Sequence, residues 1–216
     1  MPGYGIENFA RDFDVSRETC RRLELFADLL IRWNQRVNLV SRHSAGDIWR
    51  RHIADSAQLC ELIPPYDGAL VDVGSGAGFP GMVLAIMGFG DVHLIESNTK
   101  KCAFLREAAR ITSAVVTIHN IRLDSDSTLN PAIPKAATVT ARAVSPLANL
   151  LDIVFPIMYG RTCCIFPKGV HADEDLIEAR RRWEFNVQQL PNKLEPGGVI
   201  LKIRQVRRIE VPEAED

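Results

Sequence analysis

Apolar side chains recur at three- and four-residue steps near the start of the chain. In SRETCRRLELFADLLIRWNQRVNL, Leu23, Phe26, Leu30, Trp33 and Val37 form one stripe, and Ser16 can cap the helix start. A second helix is expected over DIWRRHIADSAQLCELI, capped by Asp47 and stopped by Pro64-Pro65. Beyond it the pattern changes, and short apolar runs alternate with helical ones. Strands are expected at 69–73, 92–96, 115–118, 138–142, 162–166, 184–190 and 198–204. Helices fit at 80–87, 98–111, 146–157 and 172–183. This alternation predicts an α/β fold with a seven-stranded, mostly parallel sheet and helices on both faces. The last two strands are joined by PNKLEPG, too short for a helical crossover, so they are expected to be antiparallel. The stretch DSDSTLNPAIPKAA, 124–137, reads as a surface loop. The chain divides into an N-terminal helical extension (1–66), a Rossmann-like domain (67–210) and an acidic C-terminal tail (211–216).

Composition narrows the class. The 216 residues are 46% hydrophobic and 25% charged, ordinary for a globular protein with a sizeable core. Net charge is −1, so no global field announces a nucleic-acid partner. The balance tilts locally: 161–208 holds ten Lys/Arg against six Asp/Glu. The five cysteines include no C-x-x-C pair, which supports neither a disulfide framework nor a zinc site and predicts reduced thiols in a cytoplasmic protein. The N-terminus has early acids and no apolar run, unlike a signal peptide. The most apolar stretch, GALVDVGSGAGFPGMVLAIMG, carries repeated Gly, Asp72 and Pro80, which argue against a membrane span.

That stretch is also where chemistry is expected. A strand runs into Gly74, Gly76, Gly78 and Gly81, then into a helix; glycine lets the chain turn sharply and lets a ligand approach the backbone. Glu96 ends the next strand, where a carboxylate can accept hydrogen bonds from both hydroxyls of an adenosine ribose. Two cofactor classes fit this pattern, a nicotinamide or flavin dinucleotide and S-adenosylmethionine. Charge separates them. A pyrophosphate wants positive potential, yet Asp72 sits two residues before the loop and no Lys or Arg occurs from His52 to Thr99. The sulfonium and ammonium of S-adenosylmethionine would instead gain from the Asp72 carboxylate.

With those residues in view, the chain resembles the RsmG (GidB) family, S-adenosylmethionine-dependent methyltransferases acting on N7 of a guanine in bacterial small-subunit (16S) ribosomal RNA. The resemblance rests on WNQRVNLVS (33–41), RHIADS (51–56), VDVGSGAGFPG (71–81), ARAVSPL (141–147) and FPKG (166–169). It implies a class I methyltransferase fold, with Gly74 and Phe79 at the cofactor, Glu96 as ribose acid, and Leu123 and Asp124 near the adenine. It implies that Arg142 lies beside cofactor and substrate as the catalytic residue. Arg51, His52, Asp55 and Ser56 would form the active-site rim, with Lys168 on the same sheet edge. A 16S RNA or ribosomal-particle partner, no metal and a monomer complete the expectation.

Several residues have a second reading. His52 also reads as a satisfied structural histidine, and Arg51 with Asp55 as an i, i+4 pair on one helix face. Trp33 reads as core, and Arg180-Arg181-Arg182 as a solvated helix face. Lys202, Arg204, Arg207 and Arg208 are RNA candidates, with Lys202 and Arg204 on one face of the last strand. Guanine N7 has an in-plane lone pair and no proton to lose, which fits a sequence with no nucleophile–base pair. Two other functions use the same residues: an NAD-dependent oxidoreductase on the glycine loop, and a non-enzymatic RNA-binding or assembly factor on a methyltransferase fold.

Overall fold

The computed structural model describes residues 3–65, 68–124 and 131–209. Seven strands form one sheet: β1 (Ala69–Val73), β2 (Val92–Ile95), β3 (Val116–His119), β4 (Ala136–Ala141), β5 (Cys163–Lys168), β6 (Trp183–Pro191) and β7 (Val199–Arg208). Their order is β3-β2-β1-β4-β5-β7-β6. Strands β1 to β5 are parallel, and β7 runs antiparallel to both β5 and β6, as the short connection predicts. The parallel strands therefore all end on one edge, and the order reverses between β1 and β4, the place where such sheets bind ligands.

The helices are α1 (Ile6–Phe13), α2 (Arg17–Asn34), α3 (Arg42–Ala45), α4 (Asp55–Ala57), α5 (Gly81–Ile86), α6 (Thr99–Thr112), α7 (Leu147–Val154) and α8 (Ala172–Ala179). Ser16 caps α2 by accepting from Thr19 N at 3.0 Å, the role its position predicts. Asn98 does the same for α6, accepting from Lys100 N and Lys101 N. Helix α8 stops at Ala179, so Arg180, Arg181 and Arg182 lie in the turn before β6 rather than on a helix face. The largest departure is the second predicted helix. Asp47 caps nothing there; the segment runs as a π-helical stretch (Trp49–Ala54), the single turn α4, then a 3-10 stretch (Gln58–Leu62). Residues 52–59 are buried on every side, so the segment carries no apolar period by which these windings could be told apart. The expected loop 124–137 lies partly outside the described residues, and β4 begins two residues earlier than predicted. The acidic tail, 211–216, also lies outside them.

Two cores cover the two faces of the sheet. Phe9, Leu23, Phe26, Leu30, Met82 and Phe104 pack with Leu70, Leu94, Cys163, Ile165 and Ile200 on one face. Val71, Ile95, Val139, Leu151, Phe166, Trp183 and Leu201 fill the other. Successive strand residues alternate between them, so Cys163 and Cys164 are buried back to back. The N-terminal helices thus share one core with the sheet.

Candidate active site

The glycine loop and Glu96 meet at the reversal of strand order. Glu96 Oε2 accepts from Gly76 N at 2.9 Å and Oε1 from Asn98 N at 2.7 Å, which fastens the loop after β1 to the end of β2. Gly76 has φ 57, and a Cβ built there would meet only Gly74 O, at 3.7 Å. Its outer face is therefore open to a ligand. Gly78 is different: its Cβ would strike Met82 Cβ at 2.7 Å and crowd Leu105 and Phe26. A side chain there would point into the core, so helix packing requires glycine at this position. A Cβ on Gly74 would strike Val144, which follows Ala143 at the left-handed φ of 53.

Asp72 differs from the expectation. It has no exposed surface, and its oxygens accept from Gly81 N at 3.2 Å and Thr140 Oγ1 at 2.8 Å. The carboxylate ties β1 to the start of α5 and to β4. With no accessible atom, the side chain presents its charge to the loop through buried hydrogen bonds. Burial pushes its pKa up to about 6, against the pull of the Thr140, Ser75 and Gly81 hydrogen bonds and Arg142. Gly81 is glycine because a Cβ there would collide with Leu94 and Asp72.

Arg142, at the end of β4, gathers the rim. Its Nη1 donates to Arg51 O at 3.0 Å and Asp55 Oδ2 at 3.1 Å, and its Nη2 lies 2.6 Å from His52 Nδ1. The His52 ring stacks on Phe79 at 4.8 Å, and the guanidinium lies 5.2 Å from the same ring. Burial, then the Arg142 and Arg51 charges, push the His52 pKa down to about 3, so the imidazole is neutral at physiological pH. Its Nε2 is buried and without a hydrogen-bond partner. Asp55 pairs with Arg142 rather than with Arg51, which corrects the i, i+4 reading. Arg51 is exposed and lines a groove of about 320 Å³ with Asp47, Arg50 and Glu195.

The remaining residues scatter. Ser56 is buried and donates to His52 O at 2.6 Å, a bond within its own helical turn. Lys168 is held by Ser145 O at 3.1 Å and Asp175 at 2.8 Å. Leu123 is buried in the same core as Val73, Ile95 and Ala141, and Asp124, next in sequence, is exposed. Lys202 and Arg204 lie away from the site. Val199 pairs with the end of β5, Lys168, so Lys202 sits about 10 Å and Arg204 about 17 Å down the sheet.

Sequence reading missed Asn192. Its side chain donates to Asp55 Oδ1 at 2.8 Å and accepts from Gln58 at 2.9 Å, from Leu194 N and from Glu195 N. It joins the rim to the β6–β7 connection across 137 residues of sequence. No local pattern marks it.

These features fit S-adenosylmethionine. Gly76 offers open backbone, Glu96 keeps lone pairs for ribose hydroxyls beyond its two backbone bonds, and no Lys or Arg lies in 52–99. Among the described residues no group of His, Cys, Asp and Glu could hold a metal, and no helix is long and apolar enough to cross a membrane.

Comparison with known proteins agrees. A family model described as rRNA small subunit methyltransferase G (GidB) matches residues 19–203. The chain is 46% identical over 204 residues to Ribosomal RNA small subunit methyltransferase G of Paramagnetospirillum magneticum, covering 94% of this chain and 97% of that one. It is 44% identical to the protein of the same name from Rhodospirillum rubrum, covering 94% and 98%. Solved structures support the fold. A ribosomal protein L11 methylase from Lactobacillus delbrueckii subsp. bulgaricus matches with TM-score 0.55 at 15% identity, over 70% of this chain and 76% of that one. A mutant of MtNAS in complex with S-adenosylmethionine matches with TM-score 0.57 at 12% identity, over 93% and 84%.

Proposed function

The chain belongs to the rRNA small subunit methyltransferase G family, and from that premise we propose that it transfers a methyl group from S-adenosylmethionine to N7 of a guanine in bacterial small-subunit (16S) ribosomal RNA. The observation that carries this reading is the match over 19–203, which spans the glycine loop, Glu96 and the Arg142 cluster. It sets the oxidoreductase reading aside.

Bound S-adenosylmethionine supplies a methyl group activated on sulfonium. The chain's own residues have the task of alignment and exclusion of water. Glu96 holds the loop through Gly76 N and offers its remaining lone pairs to the ribose. Arg142, fixed by three acceptors, keeps one Nη2–H and its Nε–H for the substrate. A donor on guanine O6 alone leaves N7 for the methyl group, whereas the bidentate O6/N7 contact would block it. No base is required, since N7 loses no proton. The neutral His52, with Nδ1 taken by Arg142, suits a scaffold better than a proton acceptor. The target base must leave its stack or lie in a loop to reach the methyl group.

The test is methyl transfer from labelled cofactor to small-subunit RNA and particles from a strain lacking the protein. A fixed positive charge on N7 labilises the glycosidic bond, so borohydride–aniline cleavage should map one guanine. A methyl group on a ribose oxygen or an exocyclic amine overturns the assignment, and RNA binding without transfer assigns the chain to assembly instead.

A further inference from the structure

The edge of the sheet opposite the active site carries a groove of about 650 Å³. It is lined by Lys135, Phe155, Tyr159, Gln205, Arg207 and Arg208. Its charge is unbalanced. Asp152 is shared by two guanidiniums, Arg182 at 2.6 Å and Arg208 at 2.9 Å. Lys135 donates to Pro156 O at 2.7 Å, and its charge meets no acid among the described residues. Arg207 has no ion pair among the described residues, although Glu184 is its ladder neighbour. Two cations at this edge stand over aromatic rings: Arg161 5.8 Å from the Tyr159 ring, and Arg208 5.1 Å from the ring of the buried Trp183.

A bulge shapes this edge. Glu184 pairs with Arg207 but Asn186 with Arg204, so β7 holds one residue more than β6. Gln205 takes the left-handed φ of 55 there and accepts from Asn186 Nδ2. Bulges re-aim side chains, and this one sets the direction of the strand that ends in Arg207 and Arg208. The strand then carries charge from Val199, level with Lys168 at the active edge, to Arg208, roughly 30 Å away.

We propose that this groove is a second RNA-contact surface, which takes the sugar–phosphate backbone of small-subunit ribosomal RNA at a place separate from the strand carrying the methylated guanine. The inference rests on the ribosomal-RNA reading above and adds a partner site to it. Lys135 and Arg207, in a groove that also presents the exposed Phe155 ring and Tyr159, suit phosphates and an unstacked base. A near-neutral chain gains little affinity from its overall field, so it needs a local site of this kind.

The test uses the intact chain with Lys135→Glu and Arg207→Glu combined, and Arg207→Gln alone as a milder variant. Binding to naked small-subunit RNA and to particles is measured by filter retention through a salt titration. The double variant should bind both at least ~10-fold more weakly, and its salt dependence should fall by about one unit of slope for each phosphate that the groove no longer neutralises. Arg207→Gln should show part of the same slope change, and Arg207→Lys should restore it. Cofactor affinity by calorimetry should stay at the wild-type value, which also reports an intact fold. In transfer assays KM for RNA should rise and kcat hold. Unchanged affinity and slope overturn the proposal. A weakening confined to protein-bearing particles also overturns it, assigning the groove to a ribosomal protein. Binding is read without methyl transfer, so a wild-type chain that binds through the groove yet methylates nothing refutes the function and leaves the groove standing.

Discussion

Arg142 Nη2 and His52 Nδ1 lie 2.6 Å apart, and that hydrogen bond fixes the imidazole. A guanidinium only donates, so Nδ1 accepts and the proton sits on Nε2. The pair links the end of β4 to the π-helical rim, and the Phe79 ring of the glycine loop lies against both side chains.

The first prediction concerns pH. Unfolded chain protonates His52 as pH falls below 6.5, while the folded chain resists until about 3. His52 therefore contributes stability that is present above pH 6.5 and is lost as pH falls toward 3. Asp72 acts in the opposite sense. Its folded pKa of about 6 exceeds the ordinary 3.8, so its contribution is present below 3.8 and lost as pH rises through 6. Denaturant titrations of wild type and His52→Asn should diverge below about pH 6.5, the wild type losing on the order of a few kcal/mol more by about pH 4. Parallel curves would remove His52 from the acid response. The rate of methyl transfer should stay level above about pH 6.5, since no base takes part.

Glycines at 76 and 78 should respond differently to alanine. Gly78→Ala forces a Cβ into Met82 at 2.7 Å and should lower stability by about 2 kcal/mol or more. Gly76→Ala meets open space and costs about 1 kcal/mol for its left-handed backbone. Calorimetry should find the larger loss of cofactor affinity in the 76 variant and thermal melting the larger shift in the 78 variant. The reverse order would exchange their roles.

The two carboxylates should also part company. Glu96→Gln replaces an acceptor with a donor opposite Gly76 N or Asn98 N, and cofactor affinity should fall at least ~10-fold. Asp72→Ala leaves Gly81 N and Thr140 Oγ1 without acceptors and should cost about 2–3 kcal/mol of stability. If Asp72→Ala weakens cofactor binding with no loss of stability, the carboxylate acts on the ligand directly and not through the loop.

Asn192 should matter to turnover without touching substrate. Asn192→Ala removes a partner of Asp55 and the acceptor for Leu194 N and Glu195 N, costing about 1–3 kcal/mol. Because Asp55 holds Arg142, kcat should fall more than cofactor affinity. A double-mutant cycle with Asp55→Ala should give a coupling of about 1 kcal/mol or more. Strict additivity would disconnect the β6–β7 turn from the rim.

The sequence alone determined the sheet, the order of strands and helices along the chain, and the glycine loop with Glu96 at the end of the next strand. Those signals are local: period-two and period-3.6 burial, a capping Ser16, a connection too short to cross over. The resemblance placed Arg142 and His52 in one site, and no local signal could have paired them at 2.6 Å across 90 residues. Tertiary structure decided the rest. It turned Asp72 inward, because a residue at the tip of a strand between β2 and β4 is enclosed on all sides. It wound the rim as a π-helix, gave Asp55 to Arg142 instead of Arg51, and recruited Asn192. It carried Arg204, Arg207 and Arg208 to the far edge of the sheet, since a strand running antiparallel to β5 leaves the active edge as it proceeds. Patterning specifies which face each side chain takes; the partner it meets there depends on which distant segments fold against that face.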